Sequence, residues 1–386
     1  MGRRTRFWLI QLVLFLVVFH VGGGWYFASE IESGALAVDH SDDEHDIEVT
    51  AVDAETVSIR VLDGEPDGWD RYARGAVEAG SGRLLVGPVT GETTNDAGER
   101  IVTRPILEVE GTPPSVGDTA HWDTWYFSTP MQRGIDVEEV TFPAPLGELG
   151  AWLVETEGAT RWAIVVHGRA AERREAVRIL PALSAAGLTS LVIDYRNDEG
   201  APADPSGHYR FGDTEWEDVD AAIDWAVAQG AEDVVLVGLS TGGAISASTY
   251  LHRGGRRIAA LVFDAPILDF GSTIDLGAAD RDLIPGTGLP IPGSLVATAK
   301  WAAGLRWDID WDRRRWEHWL ADLDVPVLLI HGTDDETVPF SSSEEFATAH
   351  PDLVTFVPYE GVGHVRAWNE DPEGYEKLVT DWLSGR

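Results

Sequence analysis

Residues 234–243 read Val-Val-Leu-Val-Gly-Leu-Ser-Thr-Gly-Gly. The apolar run Val234–Val237 suits a strand buried on both faces, and a helical pattern, Gly242–Leu251, follows it. Between the two stands Gly238-Leu239-Ser240-Thr241-Gly242, a Gly-x-Ser-x-Gly turn. A sharp turn from strand to helix strains its serine and exposes the hydroxyl. The flanking glycines are needed where neighbouring backbone passes too close for a Cβ. The helix N-terminus behind Ser240 favours negative charge that develops there. The motif alone is a common chance match; its position between a strand and a helix gives it weight.

Working outward, the same alternation continues. Short apolar runs at Trp162–Val166, Thr189–Ile193, Ala259–Phe263, Val325–Ile330 and Val354–Val357 predict buried strands. Helical patterns at Glu172–Ala186, Thr214–Ala228, Ser342–Ala349 and Pro372–Leu383 lie between or after them. Val137–Phe142 and Gly150–Glu155 read as an opening antiparallel pair. Strand, helix, strand, helix from residue 135 to 386 predicts a doubly wound, mostly parallel α/β domain. In such sheets, ligands bind beyond the carboxyl ends of the strands.

Three further strand ends carry chemistry. His331-Gly332-Thr333-Asp334-Asp335-Glu336-Thr337-Val338-Pro339 follows one strand, and either aspartate could orient a histidine. Gly361-Val362-Gly363-His364 lies in the loop after the last strand, where His364 would take and return the proton of Ser240. Val165-Val166-His167-Gly168-Arg169 ends a third strand. The order Ser, acid, His is that of α/β-hydrolases. On these motifs, roughly 250 residues from 135 to the C-terminus resemble the α/β-hydrolase superfamily. The acid loop of that family often reads His-Gly-x-x-Asp-x-x-Val-Pro, so the resemblance implies Asp335 over Asp334. It also implies oxyanion donors from the backbone of Thr241, after the nucleophile, and of Arg169, after the His-Gly pair. The Arg169 side chain could face an anionic substrate or be one surface arginine among Arg173 and Arg174.

Other candidates carry less. His167 and His331 read as turn residues, and His208, His252 and His318 have no acid or nucleophile motif beside them. Asp194-Tyr195-Arg196-Asn197 resembles an Asp-Tyr-Arg-Gly stretch of the family, with Asn197 in place of Gly, and is expected near the pocket. Trp216, Trp225 and the tryptophans from Trp301 to Trp319 suit either packing or an acyl-binding wall. Residues 268–323, with Pro285, Pro290, Pro292 and a helical piece around Leu295–Leu305, occupy the place where the family inserts a cap.

The N-terminal half is of another kind. Phe7–Ala28 carries no formal charge, and its 22 residues span about 33 Å as a helix, enough to cross a bilayer. Arg3, Arg4 and Arg6 precede it, Glu30 and Glu32 follow, and Trp25, Tyr26 and Phe27 suit the interface. The positive-inside rule predicts a single-pass anchor (residues 1–29) with the catalytic domain extracytoplasmic. A cleaved signal peptide is the alternative, but Ala35-Leu36-Ala37 lies too far downstream for its cleavage site. Residues 30–46 read as an acidic linker. Residues 47–134 read as a small β-rich region, with strands at Ile47–Val52, Thr56–Leu62, Arg83–Val89 and Ile101–Val109.

Composition excludes several classes. The absence of cysteine rules out disulfides, thiolate catalysis and cysteine metal sites. With 29 Lys+Arg against 65 Asp+Glu and net charge −36, nucleic acid is not an expected partner. No metal, nucleotide or flavin signature is present, so no cofactor is expected. The expected function is a membrane-tethered serine esterase, Ser240 attacking with His364 as base and Asp335 orienting it, on small-molecule or lipidic esters or thioesters. The chain resembles uncharacterised single-span bacterial α/β-hydrolases, including the group similar to acyl-protein thioesterases and lysophospholipases. A peptidase similar to prolyl oligopeptidases is one alternative, although the β-rich region is far too short for a propeller. A non-catalytic module on the same fold is the other.

Overall fold

The computed structural model describes residues 2–40, 45–62, 64 and 66–385. Its first element is one helix, Arg3–Ile31, extended by a π-helical turn, Glu32–Leu36. The helix is long and apolar enough to cross a membrane, and only 6% of its most apolar window is buried in the protein. Its last turns behave differently: Ala28, Ile31 and Leu36 are buried in the main core. Where the sequence reading placed a linker from residue 30, the chain stays helical and packed to Leu36, then makes a bridge between Ala37 and His208. Ser41–Glu44, within the expected linker, lie outside the described residues.

Seven short strands follow. They are β1 (Ile47–Val52), β2 (Thr56–Val61), β3 (Gly75–Ala79), β4 (Gly82–Val86), β5 (Gly91–Thr94), β6 (Arg100–Gly111) and β7 (Thr119–Asp123). The antiparallel pairings run β1–β2–β6–β4–β3–β7 and back to β1, so the sheet closes into a small barrel, with β5 added on β6. Closure leaves those six strands without a free edge. Alternate residues fill the interior, among them Ile47, Val49, Val57, Ile59, Leu84 and Trp122. β3, β5 and β7 had no clear reading in sequence, since glycine and polar residues break their alternation.

The second sheet has eight strands: β8 (Glu138–Ala144), β9 (Gly147–Val154), β10 (Arg161–Val166), β11 (Thr189–Ile193), β12 (Asp233–Leu239), β13 (Ile258–Asp264), β14 (Val327–Gly332) and β15 (Val354–Tyr359). Their order is β15-β14-β13-β12-β10-β11-β9-β8, parallel from β15 to β11 and antiparallel at β9 and β8. Both faces are covered. On β10, Ile164 and Val166 enter one core cluster while Ala163 and Val165 enter the other. Each fully buried aliphatic side chain contributes roughly 1.5–3 kcal/mol, which is why these strands are apolar without alternation.

The chain leaves β10 for β11 and returns to β12 on the other side of β10. That reversal opens a crevice beyond the ends of β10 and β12, where such sheets bind ligands. Val166 pairs with Gly238, Leu239 with Asp264, and Ile330 with Val357. The loops that end in Arg169, Ser240, Asp335 and His364 therefore emerge along one rim. Above it lies the segment 268–323, with helices Phe270–Ala279 and Gly293–Trp307. Asp269 caps the first, accepting a hydrogen bond from Ser272 N–H.

Candidate active site

Ser240 follows β12 directly and precedes the helix Thr241–Arg253, with φ 52° and ψ −117°. A non-glycine residue pays about 1–3 kcal/mol for such a conformation, and the turn offsets that strain by aiming the hydroxyl out of the sheet. His364 Nε2 lies 2.8 Å from Ser240 Oγ, and His364 Nδ1 lies 2.7 Å from Asp335 Oδ2. With Asp335 ionised, Nδ1–H donates to the carboxylate and Nε2 is free to accept from the hydroxyl.

Asp335 is held from every side. Its Oδ1 accepts the backbone N–H of Thr337 and of Val338, each at 2.8 Å. Its Oδ2 accepts both His364 Nδ1–H and, at 3.1 Å, His331 Nε2–H. Burial alone would raise the pKa of this carboxyl, but the charge of His364 and the hydrogen bonds from His331 and His364 hold it well below the usual carboxylate range. Asp334 is exposed, and its side chain accepts from Thr333 Oγ1. Asp264, at the end of β13, is a second buried carboxyl nearby; it accepts from Tyr375 Oη at 3.0 Å, and burial raises its pKa.

In sequence His331 reads as a turn residue. It is instead the buried penultimate residue of β14, its Nδ1 accepting from Ser343 Oγ at 2.7 Å so that Nε2–H faces Asp335. Nothing local marks this role, because Ser343 belongs to the next helix. His167 likewise does more than turn the chain. Both its ring nitrogens donate, Nδ1 to Gly168 O at 2.8 Å and Nε2 to Asp198 at 3.0 Å. Burial opposes its charge, yet the Asp198 carboxylate prevails and raises the pKa to about 9.

Gly168 O also accepts from Tyr195 Oη at 2.9 Å, and Gly168 N–H donates to Glu175 at 2.7 Å. The peptide before Arg169 is thus fixed, and no chain partner takes the N–H of Arg169 or Thr241 among the described residues. Both residues border the cavity over Ser240. Glu175 also pairs with Arg178, which donates to Val365 O at 3.0 Å, so one buried ion pair braces both the Arg169 loop and the His364 loop. Asp194-Tyr195-Arg196-Asn197 does not reach the cavity as expected: Tyr195 supports it from behind, and Arg196 is buried among Asp204, Glu217 and Asp218. His167, Asp194 and Asp198 bring potential metal-ligand atoms within 4.8 Å of one another, but Arg173 Nε lies 2.9 Å from Asp194 and His167 donates to Asp198, so these donors are already engaged.

The barrel contributes to the same rim. Tyr72 Oη accepts Gly363 N–H at 2.9 Å and donates to Asp67, and Asp67 pairs with Arg366. Arg71 donates to Gly361 O. Burial and the Asp67 charge push the Tyr72 hydroxyl up to about 12, so it stays protonated. The β-rich region, in which sequence showed no chemistry, grips the loop carrying His364 from both sides. Tyr72→Phe leaves a buried N–H unpaired, which costs about 1–3 kcal/mol. The expected result is a fall in Tm of a few degrees, with slower turnover, checked by thermal unfolding and steady-state kinetics.

Over Ser240 lies a cavity of about 480 Å³. Its floor holds Ser240, Thr241, Arg169 and His364; its walls include Phe211, Phe270, Ile274 and Trp125. None of the tryptophans weighed as an acyl wall lines it: Trp311 stacks on Phe270 from behind, and Trp301 is exposed.

Comparison with known proteins agrees with this architecture. The model of the alpha/beta hydrolase family matches residues 163–378. The uncharacterised protein Rv2307c of Mycobacterium tuberculosis is 28% identical over 235 residues, covering 58% of this chain and 69% of its own. The uncharacterised protein YfhR of Salmonella typhimurium is 25% identical over 244 residues, covering 58% and 73%. Among solved structures, the esterase Pf2001 of Pyrococcus furiosus superposes with a TM-score of 0.52 at 19% identity, covering 71% of this chain and 98% of that one; this likeness concerns the fold alone. With the family model matching more than half of its 386 residues, the chain belongs to the alpha/beta hydrolase family.

Proposed function

We propose that this chain is a serine hydrolase that cleaves carboxylic esters or thioesters through an acyl-enzyme on Ser240. The observation that carries the reading is the unbroken relay Ser240–His364–Asp335, at 2.8 and 2.7 Å, opening into a mostly apolar cavity. Ser240 Oγ attacks the carbonyl carbon while His364 Nε2 takes its proton. The N–H groups of Thr241 and Arg169 receive the oxyanion; each such donor is worth about 10²–10³ in rate. His364 then protonates the leaving alcohol or thiol. Water, giving its proton to His364, cleaves the acyl-enzyme.

A fluorophosphonate probe tests this directly. Its phosphorus forms a bond to Ser240 Oγ as fluoride leaves. The full chain is expected to label and Ser240→Ala is not; no labelling of the folded wild type overturns the reading. Running ester and amide substrates side by side separates an esterase from a peptidase.

The same reading includes a single-pass anchor with the hydrolase outside the cytoplasm. The exposed apolar surface from Phe7 to Val21 and the preceding Arg3, Arg4 and Arg6 support it. Burial of Ala28, Ile31 and Leu36 in the hydrolase core weighs against removal of the helix as a signal peptide.

A further inference from the structure

We infer that the substrate is a long-chain acyl ester of a membrane lipid, drawn sideways from the bilayer between the anchor helix and the cap. The inference rests on the serine-hydrolase reading and on the anchor above. Its first support is the make-up of the cavity. Beyond the residues around Ser240, the cavity is lined by Phe27, Ile31 and Ala35 of the anchor and by Ile274, Ile291 and Val296 of the cap, with Glu30 and Arg281 paired with each other at 3.5 Å between the two segments. Ile31 lies only about 7.5 Å along the helix from Tyr26, so the cavity begins within two turns of the apolar span.

The second support is where the cap sits. The cap helix Gly293–Trp307 runs alongside the anchor in the same direction. Ser294 Oγ meets His20 Nε2 at 3.0 Å, and Arg306 donates to Trp25 O and Ser29 Oγ at 3.1 and 2.8 Å. The contact is close: a Cβ on Gly24 would stand 2.6 Å from Thr298 Cγ2. The start of the cap helix is thus level with His20, about 9 Å inside Tyr26 on the anchor. Whatever membrane surrounds Val21 must also meet the cap.

The cap is made for that contact. Residues 283–299 carry no charged side chain, in a chain of which 24% is charged. Ala297, Trp301 and Leu305, spaced i, i+4, i+8, form one exposed stripe; Trp301 is 66% and Leu305 68% exposed. Ile284 and Leu289, just before the helix, are more than half exposed too. The other face of the helix, at Leu295, Ala299, Ala302 and Ala303, is buried. Because the cap helix runs parallel to the anchor, its uncharged start enters the bilayer beside His20, and the exposed stripe carries apolar surface outward to the level of Trp25–Ser29, where the membrane interface lies. With net charge −36 the chain gains nothing from anionic headgroups, so apolar area must hold it there. A lipid acyl chain entering along this surface reaches the cavity without crossing water, and its ester carbonyl arrives at Ser240.

The test uses the full chain reconstituted in phosphatidylcholine vesicles. Two substrates are compared: 1-oleoylglycerol held in the bilayer and p-nitrophenyl butyrate in water. The double variant Trp301→Glu, Leu305→Glu changes neither the relay nor the cavity wall. It is expected to lower release of oleate about tenfold or more while leaving butyrate release unchanged. Because the chain has no cysteine, Leu305→Cys carries a single environment-sensitive fluorophore, with Glu232→Cys as an exposed control. Quenching of the Leu305 probe by brominated lipids, and none at Glu232, is expected. An unchanged ratio of oleate to butyrate release, or equal quenching at the two positions, overturns lateral entry while the hydrolase reading stands. No butyrate or oleate release by the wild type overturns the hydrolase reading and this substrate with it.

Discussion

Asp335→Asn is expected to lower kcat about 10⁴-fold, and Asp334→Asn to leave it essentially unchanged. The reason is the number of donors converging on one carboxylate. Oδ1 takes two backbone N–H groups and Oδ2 takes two imidazole N–H groups. An amide offers only one acceptor oxygen. If its NH₂ turns toward His364, the imidazole presents Nδ1 as acceptor and a proton on Nε2, which cannot then accept the proton of Ser240. If the NH₂ turns the other way, it meets the N–H groups of Thr337 and Val338 and strains the loop. Stability should follow the same logic. The folded carboxyl titrates below its ordinary range, so its contribution is present above the unfolded pKa of about 3.9 and fades as the pH falls below that value. The variant should therefore be less stable than the wild type at neutral pH, and the gap should narrow in acid. Kinetics on a short-chain ester and unfolding at several pH values measure both effects. Equal losses in Asp334→Asn and Asp335→Asn would sink the choice between the two aspartates.

The second large effect is expected at Gly242. A Cβ there would stand 2.0 Å from the carbonyl oxygen of Val166 and 2.8 Å from that of His167. Both are backbone atoms at the end of β10, so no side chain can swing away. Relief requires the helix Thr241–Arg253 to retreat from β10, which moves Ser240 and Thr241 away from Arg169. Gly242→Ala is expected to cost about 3 kcal/mol, with loss of turnover beyond the loss of fold. For a domain of this size that lowers Tm by roughly 6–12 °C. Gly293→Ala, at an open helix start with nothing within 4 Å, is the control and should be neutral or slightly stabilising. A Gly242→Ala protein as stable and active as that control would contradict the packing described for the elbow.

Both predictions draw on features of unequal visibility. The elbow is legible because its physics is local. A buried strand, two close glycines and a helix start all fall within ten residues, and the strand runs announce the parallel sheet by their unbroken apolarity. The candidates Ser240, Asp335 and His364 are legible as strand-end residues in the right order. What brings Ser240 and Asp335 each within 3 Å of His364 is the register from β12 through β15, which no local pattern encodes. The supports are less legible still. Tyr72 and Gly363 are 291 positions apart, Arg178 and Val365 are 187 apart, and in neither pair does the sequence around one residue betray the other.

The N-terminus divides in the same way. Sequence alone determines that Phe7–Ala28 is an apolar helix long enough for a bilayer, because hydrophobicity and length are properties of a segment. It also determines that residues 283–299 are uncharged. Only the tertiary structure decides that these two segments lie side by side, and that Phe27 and Ile31 at the end of the apolar helix line the same cavity as Ser240. The stretch from Glu30 reads as a linker because Glu30 and Glu32 are polar. Folded, those carboxylates find Arg281 and His208, while Ile31 and Leu36 turn inward. Burial depends on what the rest of the chain brings to a residue, and here it brings Arg281 and the His208–Tyr209 segment.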